Sequence, residues 1–197
     1  AYDEIARAGS RALVIDLRGN EGGAFAVKPL VEHVIDEPLD AGYFMSQKWN
    51  AAHDRLPSTE ELTALPPWTG WSVSAFWRSV QDVGLLRIRM TPEQPNFDGP
   101  VFVVVDGRSA SATELAADAF RASGLARLVG EPTMGHMLSQ SPFDVVDGFV
   151  VSLPVADYCS AKHGRIEGRG VPVDVEAPSE DALERAKSLA RAALAER

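Results

Sequence analysis

The chain has 197 residues, of which 45% are apolar and 24% charged, and its net charge is −9. This length favours a single domain, the composition is that of an ordinary globular protein, and the negative charge argues against a nucleic-acid partner. One cysteine, Cys159, excludes an internal disulfide framework, and no apolar run reaches the roughly 18 residues of a membrane span.

The first predicted element of the amino-terminal half is a buried strand. Residues 11–18 form a short apolar run that ends in a glycine-rich turn at 19–23, and apolar residues at helical spacing predict a helix at 25–36. The further elements predicted in this half are a strand within 40–50, short helices at 58–64 and 72–82, and a strand at 85–90.

The carboxyl-terminal half contains the strongest predicted strand, Val101–Val105. Its continuous apolar run is typical of a central strand that is covered on both faces. A turn at 106–109 and a helix at about 111–122 follow. The remaining predicted elements are a strand at 126–129, a strand–turn–strand unit at 143–157 around Asp147-Gly148, and a last helix capped by Ser179. Strands that alternate with helices predict an α/β fold with a largely parallel, twisted sheet.

The first candidate site is the motif Asp16-Leu-Arg-Gly-Asn-Glu-Gly-Gly23, at the end of the first strand. Its glycines allow backbone conformations that other residues rarely adopt, and free N–H groups in such a turn can point at a developing negative charge. The alternative is a glycine-rich connection with nothing bound. The G-x-G-x-x-G order of a dinucleotide site is absent from the motif.

The second candidate, Ser109-Ala-Ser-Ala-Thr-Glu114, follows the strongest strand and opens a helix. Ser111 would lie at the carboxyl edge of the sheet, where α/β folds bind ligands, next to the free N–H groups of a helix N-terminus. These features suit a nucleophile whose tetrahedral intermediate carries an oxyanion. The alternative is structural, because Ser111 and Glu114 have the spacing of a capping box, which stabilises a helix by about 1 kcal/mol.

Two further candidates lie in glycine-rich loops. His136, in the loop at 130–140, belongs to a residue type that titrates near neutral pH and suits a general base. Glu167, in the segment Ile166–Asp174, could orient a base or bind a substrate amine. For both, the alternative is an ordinary solvated side chain. The same alternative holds for His33 and His163, whereas His53, in a segment without a clear pattern, stays a weak candidate for a general base.

Taken together, these segments resemble the C-terminal processing (tail-specific) serine peptidases, which are related to the tricorn protease core and to interphotoreceptor retinoid-binding protein. The similarity covers Leu13 to about Phe25 and Val101 to about Val175, in which Tyr158 and Gly164–Asp174 resemble the family's closing segment. The segment at about 40–95 carries no part of it. The resemblance implies hydrolysis of peptide bonds through an acyl-enzyme.

The resemblance also implies roles for single residues. Ser111 falls where the family has its nucleophile, and the N–H of Ala112 would supply one donor of the oxyanion hole. Gly22 or Gly23 would supply the other. The remaining positions are Gln140, where processing peptidases have a glutamine that supports the base, and Glu167, where the tricorn-like branch has a catalytic glutamate.

The sequence departs from the family at the general base. Processing peptidases have a lysine in a Gly-Lys pair at the position of His136, which here follows Gly135. We expect His136 to replace that lysine without a buried ammonium site, because imidazole as a group is largely neutral near neutral pH. Gln140 or Glu167 would then hold its other ring nitrogen, as the third group of a serine triad does. The alternative is a catalytically silent member of the family that binds peptides or apolar ligands.

The fold implied by the resemblance is the twisted β/α spiral of the Clp protease and crotonase, with a peptide or protein substrate and no cofactor or metal. We expect residues 1–197 to be a peptidase catalytic core that lacks its natural N-terminal portion. A sheet edge would then be exposed, or covered by a missing N-terminal domain or a second copy of the chain. An acyl-thioester enzyme of the crotonase type would share the fold but explains neither Ser111 nor the closing segment.

Overall fold

The structure of the chain is a computed structural model that describes residues 1–23, 25–70 and 72–196. Within these ranges the strands are β1 (Leu13–Asp16), β2 (Leu39–Ser46), β3 (Leu85–Met90), β4 (Val101–Val105), β5 (Ala126–Gly130), β6 (Ser139–Asp144), β7 (Val150–Ser160), β8 (Gly164–Arg165) and β9 (Val175–Glu176). The helices are α1 (Tyr2–Arg7), α2 (Val27–Glu32), α3 (Gln47–Ala52), α4 (Thr59–Ala64), α5 (Val73–Asp82), α6 (Ala112–Ser123) and α7 (Ser179–Ala195), with a 3-10 turn at Val146–Gly148. Ala24, inside the stretch that carries the resemblance, lies outside the described residues.

The first sheet is parallel throughout. Its strand order is β1-β4-β5-β9, and Val103 in the middle of β4 pairs with Ile15 on one side and Leu128 on the other. Every residue of β4 is buried, as expected for a central parallel strand. Among the described residues β1 has a partner on one side only, so it is an edge strand. The expectation that another domain or a second copy covers a sheet edge stays a prediction.

The second sheet is antiparallel, with the order β3-β2-β7-β6 and β8 paired to β7. β6 and β7 are joined by a tight turn in which Asp147 and Gly148 have positive φ angles of 58° and 77°, as Asp-Gly favours. The strand–turn–strand unit predicted at 143–157 is therefore confirmed. The expected largely parallel sheet corresponds only to the four-stranded one, because an apolar run does not encode the direction of its neighbour.

Helix α6 packs against strands of both sheets and is buried along most of its length. Val103, on one face of β4, lies in the same core as α6, whereas Val104, on the other face, packs against α7. Successive residues of a strand point to opposite faces. β4 therefore separates the two helices, and its carboxyl end leads the chain to the start of α6.

Capping side chains explain why the two short helices predicted at 58–64 and 72–82 are present. Ser72 accepts a hydrogen bond from the N–H of Ala75 at 3.0 Å, and Ser58 forms a capping box with Glu61. α7 begins differently from its prediction. Pro178 takes the N-cap position and Ser179 is the first helical residue.

Other elements depart from the sequence-based expectation. The helix predicted at 25–36 spans only Val27–Glu32, and a turn follows it. α1 and α3 have no counterpart among the elements predicted from the sequence. In the described part of the chain, no helix combines the length and the apolar surface that crossing a membrane requires.

Candidate active site

Ser111 lies where the chain turns from β4 into α6. It occupies the N-cap position with φ 56° and ψ −119°, whereas an ordinary N-cap residue has backbone angles in the β region. Such sparsely populated angles cost about 1–3 kcal/mol and persist only where the surrounding structure holds them. The N–H of Ser111 donates to the Glu114 carboxylate at 3.0 Å, as in one half of a capping box. The turn therefore caps the helix, but in a conformation that capping does not require.

Ser109 holds this turn in place. Its buried hydroxyl donates to the carbonyl of Leu17 at 2.9 Å and accepts from the N–H of Asp106 at 3.1 Å. Its own carbonyl accepts from the N–H of Met134 at 2.9 Å. These bonds join the end of β1, the turn after β4 and the loop after β5, so three of the sequence motifs meet at Ser111.

Gly22 packs directly against the serine turn. A Cβ atom on Gly22 would lie 2.7 Å from both the carbonyl oxygen of Ala110 and the nitrogen of Ala112. It would also lie 2.9 Å from the Cβ of Ser111. The φ of Gly22 is 89°, in the region that favours glycine. The glycine motif therefore lies beside Ser111, as its sequence predicts.

Two backbone N–H groups of residues at the serine turn have no hydrogen-bond partner among the described residues. The N–H of Gly22 donates to the side-chain oxygen of Asn20 at 2.9 Å. The N–H groups of Gly23 and Ala112 make no hydrogen bond to another described residue, and the N–H groups of a first helical turn have no partner within the helix. Gly23, Ser111 and Ala112 line one cavity. Of the two glycines, Gly23 is therefore the better placed to donate to a ligand.

Asp106 connects the glycine motif to α7. Its buried carboxylate accepts from the N–H groups of Gly19 and Arg108 and from the hydroxyl of Ser179, each at 3.0 Å. Burial raises the pKa of Asp106, but these hydrogen bonds and the charge of Arg108 outweigh burial and hold the pKa below its ordinary value. An ionised carboxylate therefore fixes the position of the motif.

Arg18 holds the strand end of the same motif. Its guanidinium donates two hydrogen bonds to the Asp16 carboxylate, at 2.9 and 2.7 Å, and one to the carbonyl of Ser179. The hydrogen bond from Arg18 is the main reason why the pKa of Asp16 is lowered. This ion pair positions the backbone that leads into the glycines.

Two carboxylates hold the loop that carries His136. Glu114 is fully buried and accepts from the N–H groups of residues 135–136 at 2.7 and 2.8 Å. Glu167 accepts from the next two N–H groups, those of residues 137–138, at 2.6 and 3.0 Å. Four successive N–H groups therefore bind two side chains, which fixes the path of the loop.

The closing segment packs onto this loop. The hydroxyl of Thr133 donates to Glu114 at 2.6 Å and accepts from the N–H of Val171 at 2.7 Å. The N–H of Gly168 donates to the carbonyl of Gly135 at 2.8 Å. The segment that supplies Glu167 is therefore bonded to the histidine loop at several points.

The side chains of His136 and Gln140 are exposed. The amide oxygen of Gln140 accepts from the hydroxyl of Ser152 at 3.0 Å, and Glu167 is occupied by the loop N–H groups. Among the described residues, no hydrogen bond joins the His136 ring to Ser111, Gln140 or Glu167, so the structure does not show the triad-like contact that the sequence suggests. Hydrogen bonds between catalytic groups often tighten only when substrate is bound.

A cavity of about 520 Å³ opens at Ser111, a volume typical of ligand pockets. Every site residue predicted from the sequence except Gly22 lines it. Its apolar walls include Phe25, Phe44, Val73, Phe76, Trp77 and Leu115. Among the described residues, no group of three or more His, Cys, Asp or Glu side chains is arranged to hold a metal ion.

Comparison with known proteins identifies the family. The sequence pattern of peptidase family S41 matches residues 1–177, which is most of the chain. The chain belongs to peptidase family S41. All the residues of the candidate site lie in the matched part.

Curated relatives of this S41 chain are named as processing proteases. It is 28% identical over 180 residues to the carboxyl-terminal-processing protease of Picosynechococcus sp., covering 91% of this chain and 35% of that protein. It is 30% identical over 181 residues to the carboxyl-terminal-processing protease of Synechocystis sp., covering 88% and 34%. The chain therefore spans about a third of the length of these relatives.

Solved structures share the fold of the S41 chain. The photosystem II D1 C-terminal processing protease matches with a TM-score of 0.61 and 24% identity, over 91% of this chain and 38% of that one. The tricorn protease matches with a TM-score of 0.56 and 19% identity, over 93% and 15%. These likenesses support a mixed α/β fold of the kind found in those proteases.

One central residue of the candidate site in this S41 chain has a role that the sequence does not reveal. The spacing of the serine motif predicts only a capping role for Glu114, yet its carboxylate joins the N–H of Ser111 to the N–H of His136. The sequence feature that points to this role is a glutamate among the apolar residues of a helix. A carboxylate buried there needs several hydrogen-bond donors around it. The identity of those donors depends on tertiary contacts.

Proposed function

We propose that this S41 chain is the catalytic core of a serine peptidase of the C-terminal processing type, with a peptide or protein as substrate. One observation carries the proposal. Ser111 is held in a strained strand-to-helix turn at a cavity, beside the N–H groups of Gly23 and Ala112. A serine presented on such a turn is the geometry of a nucleophile elbow. The names of the relatives support the same class of substrate.

In the first step, the Ser111 oxygen attacks the carbonyl carbon of the scissile peptide bond. His136 accepts the hydroxyl proton, because a serine hydroxyl is a weak nucleophile unaided. The carbonyl oxygen becomes an oxyanion that the N–H groups of Gly23 and Ala112 stabilise, together with the positive end of α6. His136 then passes the proton to the leaving amine, the C–N bond breaks, and an ester remains on Ser111.

In the second step, water hydrolyses this ester. The oxygen of the water molecule attacks the ester carbon while His136 takes a proton from the water. The same two N–H groups stabilise the second oxyanion. The Ser111 oxygen then leaves and regains a proton from His136. The product is a new carboxylic acid, and the reaction needs no cofactor.

The proposed base depends on the anchoring of its loop. Glu114 links the loop at His136 to the backbone of Ser111, and Glu167 fixes the residues that follow. Gln140 lines the cavity beyond this loop, where we assign it a supporting role. We also infer that the two sheets and α6 form a spiral of the Clp protease and crotonase type, an inference supported by the likeness to the tricorn protease.

The proposal is tested by hydrolysis of a mixed library of short peptides. We expect the wild-type chain to cleave peptides and both Ser111→Ala and His136→Ala to lower turnover by about 1,000-fold or more. His163→Ala is the matched control, since the His163 ring is paired with Asp118 at 2.6 Å and is not part of the cavity wall.

Two results would contradict the proposal. Unchanged turnover in Ser111→Ala would show that Ser111 is not the nucleophile, and unchanged turnover in His136→Ala would show that His136 is not the base. Binding of peptides by the wild-type chain without any cleavage would favour the silent, ligand-binding alternative.

A further inference from the structure

Strand β6 presents a free edge next to the cavity. Among the described residues it pairs only with β7, so it is an edge of the antiparallel sheet. Ser139 and Gln140, at its start, line the cavity that opens at Ser111. The unpaired side of β6 therefore runs from the candidate active site towards the turn at 146–148.

The pairing of β6 with β7 fixes which backbone groups face the free edge. The N–H of Val145 donates to the carbonyl of Phe149 at 2.9 Å, so the N–H of Val145 points towards the β7 side of the hairpin. Hydrogen-bonded and non-bonded pairs alternate along an antiparallel ladder. Counting back from Val145 places the N–H and C=O groups of Asp144 and Gln140 on the free edge.

Two prolines agree with this assignment. Pro142 pairs with Ser152, and Pro154 pairs with Gln140, both at positions that the alternation makes non-bonded. A proline has no N–H to donate and is tolerated where that side of the strand is not paired. The free edge therefore offers both a donor and an acceptor at Gln140, beside the cavity, and then lacks a donor at Pro142.

One face of this hairpin is apolar. Phe143 is paired with Val151, and two residues along β7 Leu153 lies on the same face. Their side chains are 40%, 40% and 48% exposed. Side chains of a strand added to the edge of β6 would alternate between this apolar hairpin face and the opposite face of the sheet.

We propose that the polypeptide substrate binds as a short added strand on the free edge of β6, in extended conformation, with apolar side chains at alternate positions over the apolar hairpin face. This inference rests on the proposed peptidase function. Strand addition is a common mode of peptide recognition, in which main-chain hydrogen bonds give affinity and alternate side chains give specificity.

Two features select this occupant over a second copy of the chain. The edge is continuous with the cavity at Ser111, where the scissile bond would lie. Pro142 removes a donor from the middle of the strand, which weakens pairing along its whole length. A short segment that pairs mainly around Gln140 fits both features.

The inference is tested with the full chain carrying Ser111→Ala, so that binding is measured without cleavage. The probe is a short synthetic peptide that alternates leucine with serine. We expect the peptide to slow hydrogen exchange of the Gln140 N–H. N-methylation at one set of alternate peptide residues should weaken binding about fivefold per site, whereas N-methylation of the other set should change it little.

Two protein variants separate the backbone from the side chain. Gln140→Ala keeps the edge N–H and should bind the peptide almost normally, whereas Gln140→Pro removes the N–H and should weaken binding about fivefold. Position 140 tolerates proline in the ladder because its pair with Pro154 is not hydrogen-bonded. Circular dichroism should show that both variants are folded.

The outcomes distinguish this inference from the proposed function. Equal binding of both N-methylated sets, or exchange slowed only at residues far from β6, overturns the inference even if the wild-type chain cleaves peptides. Slowed exchange at Gln140 with rising protein concentration and no peptide would overturn it in favour of a second copy. If only one set of N-methylated residues weakens binding and the wild-type chain cleaves no peptide, the result would support the inference and contradict the peptidase proposal.

Discussion

Gly22 illustrates how the site depends on single residues. Its Cα lies so close to the serine turn that a Cβ would overlap the backbone of Ala110 and Ala112. The same contact sets the distance between the glycine motif and the N–H of Ala112, one of the two proposed oxyanion donors. The absence of a side chain at Gly22 is therefore a requirement of the geometry.

We expect Gly22→Ala to lower kcat by about 100-fold or more, the loss typical of one misplaced oxyanion donor. The methyl group must push the start of α6 away, since a contact of 2.7 Å with a backbone nitrogen cannot persist. The matched control is Gly124→Ala, at the other end of α6, where φ is 74° and a Cβ would meet nothing within 4 Å. That control should cost about 1 kcal/mol of stability and leave kcat unchanged. Equal losses of kcat in both variants would show that backbone strain alone explains the effect.

At the residue scale, the sequence predicts the positions that one motif determines locally. Ser111 and the glycine pair follow from strands that end in turns, and the structure places them together. Glu114 and Glu167 bind N–H groups on a loop that is distant in sequence, so local patterns cannot show this role. The choice of Gly23 over Gly22 likewise depends on the hydrogen bond between Gly22 and Asn20.

At the scale of elements, Asp106 couples the glycine motif, the serine turn and α7. Because the pKa of Asp106 in the folded state is held below its ordinary value, its ionised form stabilises the fold above about pH 4. This contribution is lost as the pH falls through the folded-state pKa. Acid therefore weakens the junction of these elements.

We expect Asp106→Asn to lower the free energy of unfolding by about 1–3 kcal/mol at neutral pH, since an amide satisfies the same donors less well than a carboxylate. Below about pH 4, the stability of the variant should also fall less steeply than that of the wild-type chain. Urea unfolding at several pH values measures both effects. Asp36→Asn, at an exposed carboxylate, is the control and should show neither. A decline in Asp106→Asn as steep as that of the wild-type chain would contradict this role.

How well the sequence predicts an element depends on the length of the element and on how regularly its apolar residues recur. β4 is present where its pattern places it, because burial on both faces leaves a clear signal. α5 lies within its predicted range of 72–82, although the pattern of that segment is weaker. β8 and β9 have two residues each and exist only through pairing with other strands. The extent of β7 depends in the same way on its partners β2 and β6.

At the scale of the whole molecule, the candidate active site lies where elements of both sheets meet. The parallel sheet supplies the strand and turn that lead to Ser111, and the antiparallel sheet supplies Phe44 and Gln140 to the cavity wall. The sequence predicts the parallel half, because its strands alternate with helices. It also predicts the strands of the antiparallel half and the β6–β7 hairpin, but it does not predict how β2 pairs with β3 and β7, because that pairing joins distant segments.

The central claim is that Ser111 is an activated nucleophile. The most direct test is to treat the full chain with a fluorophosphonate probe and to map the labelled residue by mass spectrometry. We predict a single modification on Ser111, lost in Ser111→Ala and slowed in His136→Ala, because the probe reacts with a serine whose proton a base removes. Labelling of another residue, or no labelling of the folded wild-type chain, would contradict the claim.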